Sequence, residues 1–170
     1  MRLYHGTTLE IPTPMIIVRE IGRDFGLGFY TTSIREQAER WAVRRARIAS
    51  RKIEPSARAI VNVYGWDESA DLKIKRFEGT SMEWLDLVVR CRSDKDHVHG
   101  YDVVIGKIAD DDVGETVSFV VQGIMRREDA IERLKFQRIN DQIAFCTERA
   151  LRTLTFSSAY EVEDRTCTRR

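Results

Sequence analysis

The chain has 170 residues, 42% of them hydrophobic, and its 28 basic and 27 acidic side chains leave a formal net charge of +1. This size suffices for one domain with its own core. The near-neutral balance gives no overall basic field for nucleic acid or anionic membranes, although nucleic acid stays open as a partner. No apolar run approaches the ~18 residues of a membrane span, so we expect no membrane association.

Cysteine and histidine usage argues against metal sites and disulfides. The three cysteines, Cys91, Cys146 and Cys167, are far apart and odd in number, which indicates neither a metal motif nor a disulfide framework. His97 and His99 have no third ligand nearby in the sequence, so no metal is predicted. Without a signal peptide at the N-terminus, we expect a reduced, cytoplasmic protein.

Hydrophobic periodicity divides the chain into strands and helices. In chain order these are a strand at 2–7, a strand at 29–32, a helix at 34–52, strands at 58–64 and 72–77, a helix at 82–91, a strand at 101–108, helices at 113–122 and 127–135, a strand at 142–146, a short helix or turn at 147–154 and a strand at 156–162. The run at 15–18 is either an edge strand or an extended loop. Ser33 and Ser81 are predicted N-caps. Strands with helices inserted between them, without strict alternation, predict an α+β fold.

We expect one domain over residues 1–164. The basic segment at 165–170 is predicted to be a disordered tail.

Two short segments carry the functional information. The first predicted strand ends in His5-Gly6-Thr7, and the second carries Tyr30 directly after a Gly-Leu-Gly-Phe sequence. This combination resembles the ADP-ribosyltransferase superfamily, in the branch whose catalytic triplet is His, Tyr and Glu (the diphtheria-toxin-like and poly-ADP-ribose-polymerase-like enzymes). It is also similar to a group of small uncharacterised bacterial proteins assigned to that superfamily. The resemblance implies a pair of antiparallel sheets with a cleft, and NAD as co-substrate.

The resemblance assigns roles to the first segment. His5 would hydrogen-bond the 2′-OH of the adenine-side ribose. Gly6 would present its backbone N–H and C=O to the nicotinamide carboxamide, a contact that a Cβ would crowd. Thr7 matches the small hydroxyl residue that follows this glycine in the family. The alternative is that His5 is a strand histidine whose hydrogen bonds are satisfied in the core.

The second segment would bind the nicotinamide ring. Tyr30 would stack on the ring, and a second aromatic residue eleven positions later, here Trp41, would complete the sandwich. This spacing is independent of the glycine-tyrosine motif itself. Poly-ADP-ribose-polymerase-like enzymes place an amide-binding serine where this chain has Ala38, so either Gln37 replaces it or the contact is absent. Both aromatic residues could instead be core residues.

The third segment departs from the family pattern. The catalytic glutamate would lie at the start of a late strand, and Gln142 takes that position. A glutamine keeps the hydrogen bond to the nicotinamide-side ribose but loses the negative charge under the developing cation. Asp141 is one position before the expected glutamate, so its side chain would face away from the cleft. Glu148 is explained by its place at the start of a predicted helix, where a carboxylate is stabilising. The predicted catalytic set is therefore His5, Tyr30 and Gln142.

The sequence leaves two interpretations for each of two charged groups. Arg23 and Asp24 either meet a pyrophosphate or decorate a loop, and the loop interpretation is preferred. The arginines on the helix at 34–52 could bind an acidic partner or nucleic acid, but a solvated face is the preferred interpretation.

The resemblance implies a mono-ADP-ribosyltransferase that modifies an unidentified intracellular macromolecule. Small size and analogy suggest a toxin with a neutralising antitoxin protein. The alternatives are a catalytically weak NAD-binding module, an NAD glycohydrolase, and an interaction protein without a nucleotide site. The sequence does not identify the acceptor.

Overall fold

The computed structural model describes residues 1–16, 23–52, 56–68, 71–94, 96–107, 111–134 and 141–164. This part of the chain forms seven strands and five helices. In chain order they are β1 (Arg2–Thr7), β2 (Phe29–Thr31), α1 (Arg35–Lys52), β3 (Ile60–Trp66), β4 (Ile74–Arg76), α2 (Met82–Ser93), β5 (Val103–Lys107), α3 (Asp111–Val121), α4 (Arg127–Leu134), β6 (Asp141–Phe145), α5 (Glu148–Leu151) and β7 (Leu154–Glu161). The α+β class is confirmed. Residues 17–18 of the predicted run at 15–18, and the tail at 165–170, lie outside the described residues.

The chain divides into two compact units. Unit 1 comprises Met1–Pro14, Thr31–Ala70 and Arg152–Arg170, and unit 2 comprises Met15–Tyr30 and Asp71–Leu151. Two sheets are present, one ordered β1-β3-β7 and the other β2-β6-β5-β4; we call them sheet A and sheet B. Within the described residues, no helix is both long enough and apolar enough to cross a bilayer.

The prediction that both sheets are antiparallel is wrong for one strand pair. Sheet A is antiparallel throughout, and β5 pairs antiparallel with β6, but β4 runs parallel to β5. The helix α2 lies between β4 and β5 in the chain. A connection of that length permits parallel pairing, whereas a tight hairpin would force antiparallel pairing.

In unit 1, α1 lies on one face of sheet A. Its alanines Ala38, Ala42 and Ala46 are buried against Val61 and the partly buried Tyr4. They recur every four residues and so lie on one side of the helix. Because alanine is small, the helix backbone can approach the sheet closely.

In unit 2, helices cover a face of sheet B. Ser81 caps α2 by accepting a hydrogen bond from the backbone N–H of Trp84, as predicted. Trp84, Leu85 and Val88 are fully buried, and they share a core cluster with Val104 of β5 and residues of α3 and α4. The face of sheet B that carries Val104 is therefore the helix-covered face.

A buried carboxylate fixes the start of β5 in unit 2. Asp102 accepts hydrogen bonds from the backbone N–H of Lys73 at 2.9 Å, the hydroxyl of Thr147 at 2.7 Å and the guanidinium of Arg149 at 2.6 Å. The hydrogen bond from Arg149 is the largest cause that lowers the Asp102 pKa to about 2. This carboxylate ties the segments before β4 and before α5 to β5.

Candidate functional site

The outer edge of β1 presents backbone groups of Gly6. The strand is at the end of sheet A, and Tyr4 uses both its N–H and its C=O to bond Thr32, each at 2.9 Å. In an antiparallel strand, backbone groups of residues two apart point to the same side. The N–H and C=O of Gly6 therefore point to the same edge as those of Tyr4, away from β3.

Close packing against α1 explains why residue 6 is glycine. A Cβ on Gly6 would lie 2.1 Å from the carbonyl oxygen of Ala38 and 2.8 Å from the backbone nitrogen of Ala42. Both atoms belong to a helix backbone, which cannot move aside cheaply. The helix thus supplies a packing reason for Gly6 in addition to the predicted ligand contact. Gly6 therefore packs directly on Ala38, the position at which the resembling enzymes have an amide-binding serine.

His5 lies on the other face of sheet A. Side chains alternate along a strand, so His5 and Thr7 point away from the face on which Gly6 meets α1. The residue opposite His5 on β3 is Asn62, which is fully buried. Its amide accepts from the N–H of Ile11 at 2.7 Å and donates to the carbonyl of Leu9 at 2.9 Å. Asn62 thus holds the segment after β1 on the face of His5.

Trp41 is a surface residue of α1. Its side chain is 41% exposed, and the guanidinium of Arg44 lies 5.6 Å from the centre of its ring. Because α1 packs on the Gly6 face of sheet A and His5 points to the opposite face, the structure does not bring His5 and Trp41 to one face. The alternative interpretation of Trp41 as a buried core residue is wrong.

Tyr30 belongs to the core of unit 2. It is 8% exposed and lies in the cluster that contains Trp84. Its hydroxyl donates a hydrogen bond to the carbonyl of Gly26 and accepts one from the N–H of Phe25 at 3.3 Å. Burial is the main cause that raises the Tyr30 pKa. The guanidinium of Arg23 lies 5.0 Å from the ring centre, so a ligand stacked on that face would displace it.

The glycine-rich loop before β2 is held from within unit 2. Asp24 is buried and forms an ion pair with Arg92, which gives this loop residue a structural role. Tyr101 donates its N–H to Nδ1 of His99, whose Nε2 therefore carries the proton and donates to the carbonyl of Phe25 at 3.1 Å. The loop is a fixed element of the core.

Gln142 lies on the helix-covered face of sheet B. Tyr30 and Ala144 share one core cluster, and Gln142, two residues before Ala144, points to the same side. Its side chain is 8% exposed, and Gly106 is its partner on β5. The Oε1 atom of Gln142 has no hydrogen-bond partner among the residues that the structure describes. An unpaired buried amide oxygen costs about 1–3 kcal/mol, which marks it as a candidate ligand contact.

A family model described as a protein of unknown function, DUF3990, matches residues 1–156. This range runs from β1 into β7. The chain belongs to the DUF3990 family. No curated protein and no solved structure matches it.

The DUF3990 match covers all of the predicted site residues: His5, Gly6, Thr7, Tyr30, Trp41 and Gln142. Unit 1 contains the first three and Trp41, and unit 2 contains Tyr30 and Gln142. Within unit 1 the structure joins Gly6 to α1, and within unit 2 it places Tyr30 and Gln142 on one sheet face. Each unit of this DUF3990 chain therefore contains part of the predicted set.

Sequence reasoning missed one residue of the candidate site, Asn62, and one contact, that between Arg23 and Tyr30. Asn62 is the one strongly polar side chain in the run Ile60-Val-Asn-Val-Tyr64, and a polar residue in an apolar strand could have drawn attention to it. Arg23 stacks on Tyr30, and nothing in the spacing of the DUF3990 sequence indicates that contact.

Proposed function

We propose that this DUF3990 protein is an NAD-dependent mono-ADP-ribosyltransferase acting on an intracellular macromolecule. One observation carries the proposal: Gly6 presents an N–H and a C=O together at the edge of β1, while α1 packs on the face of the same strand. A primary carboxamide has a matching acceptor and donor, and the nicotinamide of NAD ends in such a group. The edge of β1 can therefore take an amide much as it would take another strand.

The other residues have roles that their chemistry supports. The Nδ1 or Nε2 atom of His5 would hydrogen-bond a ribose hydroxyl. Gln142 would use its buried Oε1 to accept a hydrogen bond from the hydroxyl of the nicotinamide-side ribose, which would satisfy an atom that lacks a described partner. Tyr30 would stack on the nicotinamide ring after Arg23 moves from that face.

These residues would promote cleavage of the bond between nicotinamide and ribose. Nicotinamide leaves with the electron pair of that bond, and positive charge develops on the ribose. A nucleophilic atom of the acceptor then bonds to the ribose and loses its proton. Hydrogen bonds that hold the amide and the ribose hydroxyls in place lower the entropy cost of reaching that geometry.

A specific observation favours a second candidate, a catalytically weak NAD-binding module. Gln142 of β6 lies on the same face of sheet B as Tyr30 and carries an uncharged amide. The ADP-ribosyltransferases that the sequence resembles have a carboxylate at the corresponding position. A neutral group stabilises a developing cation less than a carboxylate does. Under this alternative the protein binds NAD and releases little nicotinamide.

The deciding experiment measures nicotinamide release from NAD by the purified protein, with and without bacterial lysate. We expect release that is abolished in His5→Ala and reduced at least tenfold in Gln142→Ala. Gln142→Glu restores the missing charge and should raise the rate. Gln122→Ala, at an exposed glutamine in the turn after α3, is the matched control and should leave the rate unchanged.

The outcomes separate the candidates. Labelling of a lysate component with radioactive ADP-ribose identifies a transferase, whereas release without labelling identifies an NAD glycohydrolase. Saturable NAD binding without release identifies the binding module. Neither binding nor release would overturn the proposal. If labelling is found, expression in bacteria should slow growth, and suppression by a co-expressed protein would identify the neutralising partner of a toxin.

A further inference from the structure

A small cavity in unit 1 lies between the starts of β1 and α1 and the middle of β7. Its volume is about 260 Å³, and its polar lining residues are Arg2, Tyr4, Arg35, Ser157, Ser158 and Tyr160; we call it the arginine pocket. The residues that line it include two arginines and no carboxylate. A ligand that enters the pocket therefore meets positive charge and hydroxyl groups.

The guanidinium of Arg35 is oriented through its Nε atom. This nitrogen donates to Oε1 of Glu39 at 2.8 Å and to the hydroxyl of Tyr160 at 3.1 Å, and the guanidinium carbon lies 5.1 Å from the centre of the Tyr160 ring. Neither terminal nitrogen of Arg35 has a hydrogen-bond partner among the residues that the structure describes. These two nitrogens form the fork that matches the oxygens of an anion.

Arg2 brings a second guanidinium to the arginine pocket. It is the first residue of β1 and is exposed, and no described side chain forms an ion pair with it. Glu39 offsets part of the charge on Arg35, whereas the charge on Arg2 remains for a ligand. The arginine pocket therefore combines one oriented guanidinium with one that has no described counter-ion.

A β-bulge turns two serines into the arginine pocket. Side chains normally alternate across a strand, so the neighbours Ser157 and Ser158 would lie on opposite faces of sheet A. The register between β3 and β7 shifts between Val63 and Tyr64, and Ser157 is the extra residue. Both serines consequently line the pocket. Bulges re-aim side chains and are frequent beside functional sites, and this one adds two hydroxyl donors to the two guanidiniums.

We propose that the arginine pocket binds a small phosphate monoester, whose oxygens accept hydrogen bonds from the guanidiniums of Arg2 and Arg35 and from both serine hydroxyls. A phosphate monoester has three acceptor oxygens and a charge of about −1.5 to −2 at pH 7, which matches this set of donors. A carboxylate or a phosphodiester has two terminal oxygens and a single charge, so it leaves donors of the pocket unused.

The size of the arginine pocket favours a small molecule. Cavities that hold drug-sized ligands measure about 300–1,000 Å³, and this one is smaller, at about 260 Å³. It can take a phosphate group together with a short organic group. None of its lining residues belongs to the predicted NAD set, so the inference does not depend on the proposed enzymatic function.

The test titrates glycerol 3-phosphate into the ¹⁵N-labelled full chain and follows the backbone amide resonances of Ser157 and Ser158. We expect saturable shifts at millimolar or lower concentrations. Glycerate, which has a carboxylate in place of the phosphate, and dimethyl phosphate, a diester, should each bind at least about tenfold more weakly, the effect of one lost charge-assisted hydrogen bond. Excess NAD should leave the affinity for glycerol 3-phosphate unchanged.

Matched variants separate the arginine pocket from general charge. Arg2→Gln and Arg35→Gln should each weaken binding by at least about tenfold. The double variant S157A/S158A should weaken it about fivefold without any change in charge. Arg51→Gln removes the same charge from an exposed position of α1 that is ~24 Å from Arg35 along the helix, and should bind like the wild type. The spectrum of each variant confirms folding.

Several results would overturn the proposal. Equal weakening in Arg51→Gln and Arg35→Gln would mean a diffuse charge effect. Equal affinity for glycerate or for dimethyl phosphate would remove the preference for a monoester, and tighter binding of a phosphoserine peptide would indicate a phosphorylated protein. Displacement of glycerol 3-phosphate by NAD would make the pocket part of a dinucleotide site, and no saturable shift would leave it as a solvated groove.

Discussion

Units 1 and 2 place the predicted site residues in opposite kinds of environment. In unit 1 the residues on β1 are at a sheet edge, and residue 6 is glycine because a Cβ there would lie 2.1 Å from a carbonyl oxygen of α1. In unit 2, Tyr30 and Gln142 are buried on a helix-covered face, and Tyr30 is held through its hydroxyl. In unit 1 the space beside the backbone decides which residue fits at position 6. In unit 2 the hydrogen bonding of buried polar atoms decides the cost of each side chain.

Gly6 has two possible roles at once, close packing against α1 and binding of a ligand through its backbone. Replacing Gly6 should damage folding whether or not a ligand binds, so loss of activity in that variant would say little about NAD. Replacing Gln142 should affect ligand binding while the fold remains intact, because its Oε1 atom has no described partner to lose. Unit 2 is therefore the better place to test chemistry.

The largest expected effect is in unit 1. Gly6→Ala should lower the free energy of unfolding by about 3 kcal/mol or more, because the new methyl group would overlap the backbone of α1. Gly65→Ala is the matched control in sheet A, where the nearest atom to a Cβ is 3.9 Å away, and should cost less than about 1 kcal/mol. Urea denaturation measures both, and equal losses would contradict the close contact.

The next effect tests polar satisfaction in unit 2. Asp102→Ala should destabilise the protein by about 2 kcal/mol, since it leaves the N–H of Lys73 and the hydroxyl of Thr147 without their acceptor. The folded pKa of about 2 is below the ordinary value. The ionised Asp102 side chain therefore contributes its full stabilisation of the folded wild-type protein above about pH 4, and this stabilisation is lost as the pH falls toward 2. Urea titrations across this range should show a smaller acid-dependent loss in the variant.

A stabilising substitution is expected at Gln142. Gln142→Leu removes the polar atom that has no described partner and should raise the free energy of unfolding by about 1 kcal/mol while eliminating nicotinamide release. Gln122→Leu, at an exposed position, should change stability by less than about 0.5 kcal/mol. A destabilised Gln142→Leu protein would show that the amide is satisfied in the free state.

The smallest effect concerns His99, which fixes the glycine-rich loop through Phe25. Burial is the main cause that lowers the His99 pKa below 6.5, so the folded protein holds the neutral ring. The contribution of neutral His99 to the free energy of unfolding is present above pH 6.5. It declines as the pH falls below that value, because His99 in the unfolded chain takes up a proton first. His99→Gln should flatten the stability profile between pH 7 and 5, and an unchanged slope would contradict this assignment.

The sequence predicted elements whose signal is local. The periodicity of α1 and α2 and the cap at Ser81 depend on residues within a few positions of each other, and the structure confirms them. The direction of β4 relative to β5 was missed because a three-residue strand carries no information about which neighbour it will pair with. Alternation indicates faces, and it does not indicate strand direction.

The candidate site depends on contacts between residues far apart in the chain. Asp24 pairs with Arg92 across 68 positions, and His99 holds the carbonyl of Phe25 across 74. No local pattern encodes such pairs. The packing of Gly6 on Ala38 was not predicted either, because it joins a strand to a helix 32 positions further along the chain. The exposure of Trp41 was not anticipated, because helical spacing alone does not show how wide the buried face of α1 is.

The central claim is that the backbone of Gly6 receives the amide of NAD. It is tested most directly by titrating NAD into ¹⁵N-labelled protein and following the amide resonance of Gly6. The account predicts a large saturable shift with NAD, and a smaller shift with weaker binding for nicotinic acid adenine dinucleotide, which has a carboxylate in place of the amide. An unmoved Gly6 resonance at saturating NAD, or equal shifts and affinities for the two ligands, would contradict the account.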